Sequence, residues 1–149
     1  MPIRTLSRLA ALCLVAATVL SLTSFAFSHQ TIVVGEEGGE QYRVIVGMVR
    51  EPIFTDERNG LDLIVRTMDD EPVTGLETSL SVTFIAPGGE ERPLTIRAQW
   101  GRPGYYTDDL MLTATGVYCI HVSGFIGGVE VDETYETHEV RPLSDLAFP

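Results

Sequence analysis

The feature that most constrains the fold is a series of short segments in which apolar and polar residues alternate. The clearest segment covers residues 79–85, where Leu80, Val82 and Phe84 point one way and the intervening polar side chains point the other. A repeat of two residues is typical of a β-strand with one buried face. Pro87, Gly88 and Gly89 follow directly and predict a turn that starts a hairpin.

Seven further segments repeat this pattern, and turns rich in Gly or Pro separate most of them. They cover residues 30–34, 42–49, 61–67, 92–98, 105–112, 116–124 and 129–137. No convincing amphipathic helix occurs after residue 28. Seven to eight short antiparallel strands with frequent turns predict an all-β, immunoglobulin-like two-sheet sandwich. We expect this domain over residues 29–140, followed by a C-terminal tail over residues 141–149 that packs loosely or extends.

A different pattern occupies residues 1–28. Two arginines precede an uncharged apolar stretch over residues 9–22, and small residues follow it. This order predicts a secretory signal peptide, cleaved after Ser28 or, alternatively, after Ala26. We therefore expect an exported protein, in the periplasm or outside the cell, or one anchored by an uncleaved signal.

The charge of the chain is strongly acidic. All ten basic residues are arginines, and eight of them lie in residues 29–149 together with all 21 acidic residues, which gives this part a net charge near −13. Nucleic acids and anionic membranes are bound through patches of Lys and Arg, so the composition argues against both as partners. It favours solubility and attracts cations or basic partners.

Catalytic motifs are absent from the sequence. It contains no G-x-S-x-G, no H-E-x-x-H and no Walker loop, and no spacing brings a Ser/His/Asp set together. We expect a non-enzymatic binding or accessory role, with Trp100, Phe54 and Arg58 in turn-forming segments as the interaction residues. An exposed Trp100 would be a binding hot spot, whereas a buried one would close the open end of the sandwich.

A series of short motifs runs through the chain. They are Glu51-Pro52-Ile53-Phe54, Asn59-Gly60-Leu61, Glu71-Pro72-Val73-Thr74-Gly75-Leu76, Pro103-Gly104-Tyr105-Tyr106 and Thr115-Gly116-Val117-Tyr118. In these motifs the chain resembles small exported immunoglobulin-like domains of the YtkA-like or FixH-like type, over roughly residues 33–135. It is also similar in outline to CopC-type copper-resistance domains. The resemblance implies an immunoglobulin-like fold and, for some members, a role in envelope metal or redox-complex biogenesis.

His29 is the first candidate metal ligand. Cleavage after Ser28 would make it the mature N-terminus, where its free amine and ring Nδ1 would chelate one copper ion. His121 or His138 would then supply a second imidazole. Cleavage after Ala26 would leave two residues ahead of His29 and remove the chelate. The expected partner is therefore an envelope protein or a metal ion, with copper as the candidate cofactor.

Cys119 and His121 form a second candidate pair. Cys13 lies in the predicted signal peptide, so Cys119 has no partner for an internal disulfide. Because Cys119 and His121 are two residues apart on a predicted strand, they share a face, opposite the more apolar alternate residues. A thiolate and an imidazole there could share a soft metal, with His138 lying across from them. The alternative is an ordinary half-exposed strand face.

Overall fold

Residues 29–149, the part of the chain that the computed structural model describes, form ten strands. The predicted signal peptide over residues 1–28 lies outside them. The strands are β1 (His29–Val34), β2 (Tyr42–Met48), β3 (Arg58–Thr67), β4 (Leu80–Ile85), β5 (Glu91–Leu94), β6 (Arg97–Ala98), β7 (Tyr105–Thr107), β8 (Asp109–Met111), β9 (Cys119–Ile126) and β10 (Val129–Glu136). Every pairing between them is antiparallel.

The strands divide into two sheets. The first has the order β1-β2-β3-β7-β6, with β8 also paired to β3, and the second has the order β10-β9-β4-β5. In the first sheet, β2, β3, β7 and β6 correspond to strands A, B, E and D of an immunoglobulin domain. In the second sheet, β4, β9 and β10 correspond to strands C, F and G. Strand β5 extends the second sheet beside β4, and β1 extends the first sheet beside β2. The predicted fold class is confirmed.

The core lies between the sheets and consists of the alternate residues of each strand. The first sheet contributes Val44, Val46, Met48, Leu61, Leu63, Val65 and Tyr106, and the second contributes Val82, Phe84, Ile120, Val122, Val131 and Tyr135. Burial of one such aliphatic side chain stabilises the fold by about 1.5–3 kcal/mol. The strand pattern therefore fixes which face of each sheet remains on the outside.

Two predicted strands are each divided in the structure, which is why ten strands replace eight. In the segment 92–98, β5 pairs with β4 in the second sheet and β6 pairs with β7 in the first, so the chain changes sheets around the buried Ile96. The segment 105–112 breaks at Asp108. That carboxylate accepts hydrogen bonds from the backbone N–H groups of Thr95 and Asp109, at 3.0 and 2.9 Å.

The C-terminal segment is tied to the loop after β2. Arg141 exchanges backbone hydrogen bonds with this loop, from its own N–H to the Ile53 carbonyl and from the Thr55 N–H to its carbonyl. Beyond it, Leu143–Leu146 forms a 3₁₀ helix without buried residues. No helix within residues 29–149 is long and apolar enough to cross a membrane.

Tyr118 forms a tyrosine corner immediately before β9. Its hydroxyl donates to the carbonyl of Ala114 and accepts from the N–H of the same residue, both at 3.1 Å. A tyrosine at the start of this strand, bonded back to the preceding connection, is a hallmark of immunoglobulin-like domains. It fixes the path by which the chain crosses from the first sheet to the second.

Removal of the hydroxyl group should destabilise the protein at Tyr118 but not at Tyr135. Tyr118→Phe removes both corner hydrogen bonds and should lower the free energy of unfolding by about 1 kcal/mol. The Tyr135 hydroxyl is buried and has no hydrogen-bond partner among the described residues, so Tyr135→Phe should leave stability unchanged or raise it. Urea unfolding of both variants tests this, and an equal loss in both would contradict a special role for the corner.

Candidate functional site

Trp100 lies on the tight turn between β6 and β7. The backbone N–H of Arg102 donates to the Gln99 carbonyl at 3.2 Å, and Gly101 adopts a positive φ of 73°. The turn holds the indole away from the sheets, and Trp100 is 99% exposed. It therefore does not close the end of the sandwich, and the exposed alternative is the one that the structure shows.

An open groove of about 530 Å³ runs beside Trp100. Its lining includes Val49 after β2, Arg58 at the start of β3 and Arg97 on β6. Strand register places Arg58 opposite Met111 and Arg97 opposite Thr107, on the outer face of the first sheet. Two of the three predicted interaction residues, Trp100 and Arg58, thus belong to one surface.

The structure contradicts the prediction that Phe54, the third of these residues, is an interaction residue. Its side chain is only 6% exposed. The guanidinium of Arg141 lies over its ring, with Cζ 4.7 Å from the ring centroid, and the two residues form a parallel β-bridge. The C-terminal segment covers Phe54, so this ring presents no surface to a partner.

Arginine and aspartate side chains give the groove its charge pattern. Arg58 donates to Asp109 at 3.3 Å, and Arg97 bridges Asp108 at 3.1 Å and Asp109 at 2.8 Å. Desolvation raises the pKa of Asp109, but Arg58 and Arg97 lower it by more, so the net shift is downward. Arg50 makes no side-chain hydrogen bond or ion pair with any residue in the range 29–149.

Asn59 fixes the backbone that carries Arg50. Its Oδ1 accepts from the backbone N–H of Arg50 at 3.0 Å and of Gly60 at 2.9 Å, while its Nδ2 donates to the Arg50 carbonyl at 3.0 Å. Asn59 is 7% exposed, so these groups would otherwise be poorly solvated. The amide thus links β3 to the start of the loop that follows β2.

Gly60 leaves room at the same place. A Cβ added there would lie 3.0 Å from the Asp108 carbonyl oxygen and 3.3 Å from a methyl group of Val49. The φ of Gly60 is not positive, so space rather than backbone conformation is what a side chain at this position would disturb. Gly60 therefore allows β3 to lie close to Asp108 and Val49, next to the groove.

A chain of polar contacts connects the Trp100 turn to β1. Arg102 donates to Gln99 Oε1 at 2.8 Å, Gln99 donates to Asp62 Oδ1 at 3.0 Å, and Asp62 Oδ2 lies 3.1 Å from His29 Nε2. Arg102 also stacks over Tyr105, with its Cζ 3.7 Å from the ring centroid. Hydrogen bonds from Arg66 and then Arg102 lower the pKa of Tyr105. These contacts brace the turn without covering Trp100.

The other two histidines lie against different carboxylates. His121 Nε2 is 2.7 Å from Asp132 Oδ1 on β10, and His138 Nδ1 is 3.4 Å from Glu51 Oε2. Burial raises the pKa of Glu51, while His138 and then His29 act in the opposite direction. In residues 29–149, no three His, Cys, Asp or Glu side chains form a group that could hold a metal ion.

Cys119 and His121 share the outer face of the second sheet, while Ile120 and Val122 lie in the core. Register places Glu136 opposite Cys119 and Thr134 opposite His121. The expectation that His138 lies across from this pair is wrong, because β10 ends at Glu136 and His138 contacts Glu51 instead. Each of the three histidines thus contacts a different carboxylate, and copper binding stays a prediction.

The fold defines this chain as an immunoglobulin-like β-sandwich domain. No family model matches the sequence, and no curated protein is similar to it in sequence. Among solved structures it is similar to a DUF4785 family protein from Legionella pneumophila, with a TM-score of 0.48 and 8% identity over 68% of this chain. The chain spans 29% of the length of that protein. The resemblance to YtkA-like, FixH-like or CopC-type proteins stays a prediction.

A second similar structure is the Lin-41 filamin domain. The TM-score is 0.43 and the identity is 11%, and the match covers 61% of this chain and 89% of the filamin domain.

The Asn59 amide should be worth more than an ordinary surface hydrogen bond. Asn59→Ala leaves the Arg50 and Gly60 backbone groups without their partner and should lower the free energy of unfolding by about 2–3 kcal/mol. Asn59→Asp keeps the acceptor but places a carboxylate oxygen against the Arg50 carbonyl at a residue that is 7% exposed, so it should also destabilise the fold. Urea unfolding at neutral pH measures both. A loss in Asn59→Ala below about 1 kcal/mol, the value of one ordinary hydrogen bond, would contradict the three-bond arrangement.

Proposed function

We propose that this protein is a non-enzymatic, exported binding or accessory domain of the cell envelope that holds a partner protein in the groove beside Trp100. The observation that carries the proposal is the indole itself, which is 99% exposed beside a groove lined by Arg50, Arg58 and Arg97. Trp and Arg are the residue types most enriched among interface hot spots. Trp100 is not part of the hydrophobic core, so packing of the sandwich does not account for the exposed indole.

The export part of the proposal rests on the sequence pattern of residues 1–28 and on the resemblance to small exported YtkA-like or FixH-like domains. Both favour the periplasm or the exterior of the cell.

Removal of the indole tests the binding role. Tagged Trp100→Ala should lose a partner that the unaltered protein captures from envelope extract. Phe125→Ala is the matched control, because Phe125 is also an exposed aromatic residue, 53% exposed, but lies on the second sheet. The control should retain the partner. Capture of the same proteins by Trp100→Ala would move the binding surface elsewhere.

A copper-binding role is the second candidate. Its support is the contact between His29 Nε2 and Asp62 at 3.1 Å. When Nε2 donates to this carboxylate, the lone pair of the neutral ring lies on Nδ1, the nitrogen that a chelate with the N-terminal amine uses. Glu51 lies against His138 and interacts electrostatically with His29, which favours His138 over His121 as the second imidazole.

Copper binding should depend on where the mature chain begins. Protein that starts at His29 should bind Cu(II) with nitrogen coupling in its electron spin resonance spectrum, and His29→Ala and His138→Ala should weaken binding at least about tenfold. Protein that starts at Phe27 is the matched control and should lack the chelate. Intact mass of the secreted protein identifies the natural terminus. Equal spectra and affinities for the two starting points would contradict this role.

A further inference from the structure

We infer that the groove beside Trp100 takes an acidic peptide segment of its partner, one in which carboxylates flank an apolar side chain. This inference rests on the proposed binding function and specifies the chemistry of the partner. Its basis is the charge of the groove, the hydrogen bonds already made by its polar side chains, and the apolar surface that it exposes.

The groove reverses the charge of the rest of the molecule. Residues 29–149 contain eight arginines and 21 acidic residues, yet Arg50, Arg58 and Arg97 line this one groove. Among the lining residues only Asp109 is acidic, and Asp108, which pairs with Arg97, is a second carboxylate beside them. The three guanidinium groups therefore outnumber these two carboxylates. A carboxylate therefore meets a favourable local potential here and an unfavourable one over most of the remaining surface.

The donors that remain available are those that bind carboxylates. Arg50 makes no side-chain hydrogen bond or ion pair within residues 29–149, and Arg58 makes a single contact at 3.3 Å. A guanidinium carries five N–H donors in a planar fork that matches a carboxylate. Arg50 and Arg58 can thus each bind a carboxylate of the partner without losing a contact that holds the fold together.

The side chains that would recognise sugar hydroxyls are already engaged. Asn59 bonds the backbone of Arg50 and Gly60, Gln99 bonds Asp62 and Arg102, and the Thr107 hydroxyl donates to the Leu61 carbonyl at 2.7 Å. An oligosaccharide needs acceptors and donors of this kind in number. Because they are occupied, a peptide fits the lining better than a glycan does.

Apolar surface completes the match. Val49 in the lining is 55% exposed, and Trp100 is 99% exposed. Together they offer contact area to one or two apolar side chains. Such a rim of apolar and cationic groups suits a segment in which Leu or Phe alternates with Glu or Asp.

Fluorescence of the protein reports on the groove directly, because Trp100 is the only tryptophan in the chain. The probe is a seven-residue peptide of alternating Glu and Leu, compared with peptides in which Gln or Lys replaces Glu. The Glu peptide should shift Trp100 emission and bind at least about tenfold more tightly than the Gln peptide, with affinity that falls as salt rises. The Lys peptide should leave the emission of Trp100 unchanged.

Substitution of single arginines then tests which guanidinium groups bind the Glu peptide. Arg50→Ala should weaken binding of the Glu peptide by about three- to tenfold, since it removes a charge-assisted hydrogen bond. Arg92→Ala is the matched control, because Arg92 is also exposed but lies on β5 of the second sheet, and it should change binding by less than about twofold. Thermal unfolding of both variants shows whether they fold alike.

Three results would overturn the inference: equal binding of the Glu and Gln peptides, equal losses in Arg50→Ala and Arg92→Ala, or tighter binding of trigalacturonic acid, which would indicate an anionic glycan. Envelope capture separates this inference from the broader function. A partner lost in Trp100→Ala, combined with no binding of the Glu peptide, refutes the acidic ligand and leaves the binding function standing. Capture that is unchanged by Trp100→Ala refutes the binding function itself.

Discussion

The two-residue repeat of the strands is the constraint on which the rest of the structure depends. Because successive side chains point to opposite faces, the packing of Leu61 and Leu63 into the core obliges Asp62 to face outward. A slip of one residue would exchange the two sets. The positions of Arg58, Thr107 and Asp109 at the groove follow from the same register, so the core determines the outer face as well as the interior.

Polar contacts that cross several strands join the first sheet to the loop and the turn beside the groove. Asn59 on β3 holds the Arg50 backbone after β2, and Gln99 beyond β6 reaches Asp62 on β3. Each contact links parts of the chain that are distant in sequence, at separations of 9 and 37 residues. The exposed indole therefore stands on a firmly held turn, which reduces the conformational entropy that binding would cost.

Local pattern was sufficient to predict six of the eight strand segments and their buried faces, whereas two segments are divided in the structure. The segment 79–85 alternates in sequence and alternates in burial, and Ile120 and Val122 lie in the core as their spacing predicts. The change of sheet around Ile96 could not be read in this way, since the same short run supplies β5 to one sheet and β6 to the other. Nothing in the alternation of a segment identifies the strand with which it pairs.

The site was only partly predictable for the same physical reason. Trp100 and Arg58 stood out as residues in turn-forming segments, but Arg50 and Arg97 meet them only through pairing between β3, β7 and β6. Phe54 was misjudged because its cover, Arg141, lies 87 positions further along the chain. A composition with 21 acidic residues predicts basic partners. It gives no sign that Arg50, Arg58 and Arg97 line one groove.

The acidic charge of the whole molecule and the basic groove act over different distances. At physiological ionic strength, interactions between exposed charges fade over about 8 Å, so carboxylates on the far side of the sandwich have little effect at Trp100. Contacts of 3 Å with Arg50 or Arg58 are screened far less. The net charge then discourages indiscriminate association with acidic proteins, while the groove selects those whose carboxylates can reach it. Specificity in this arrangement comes from geometry, because only a segment narrow enough to enter beside the indole escapes the general repulsion.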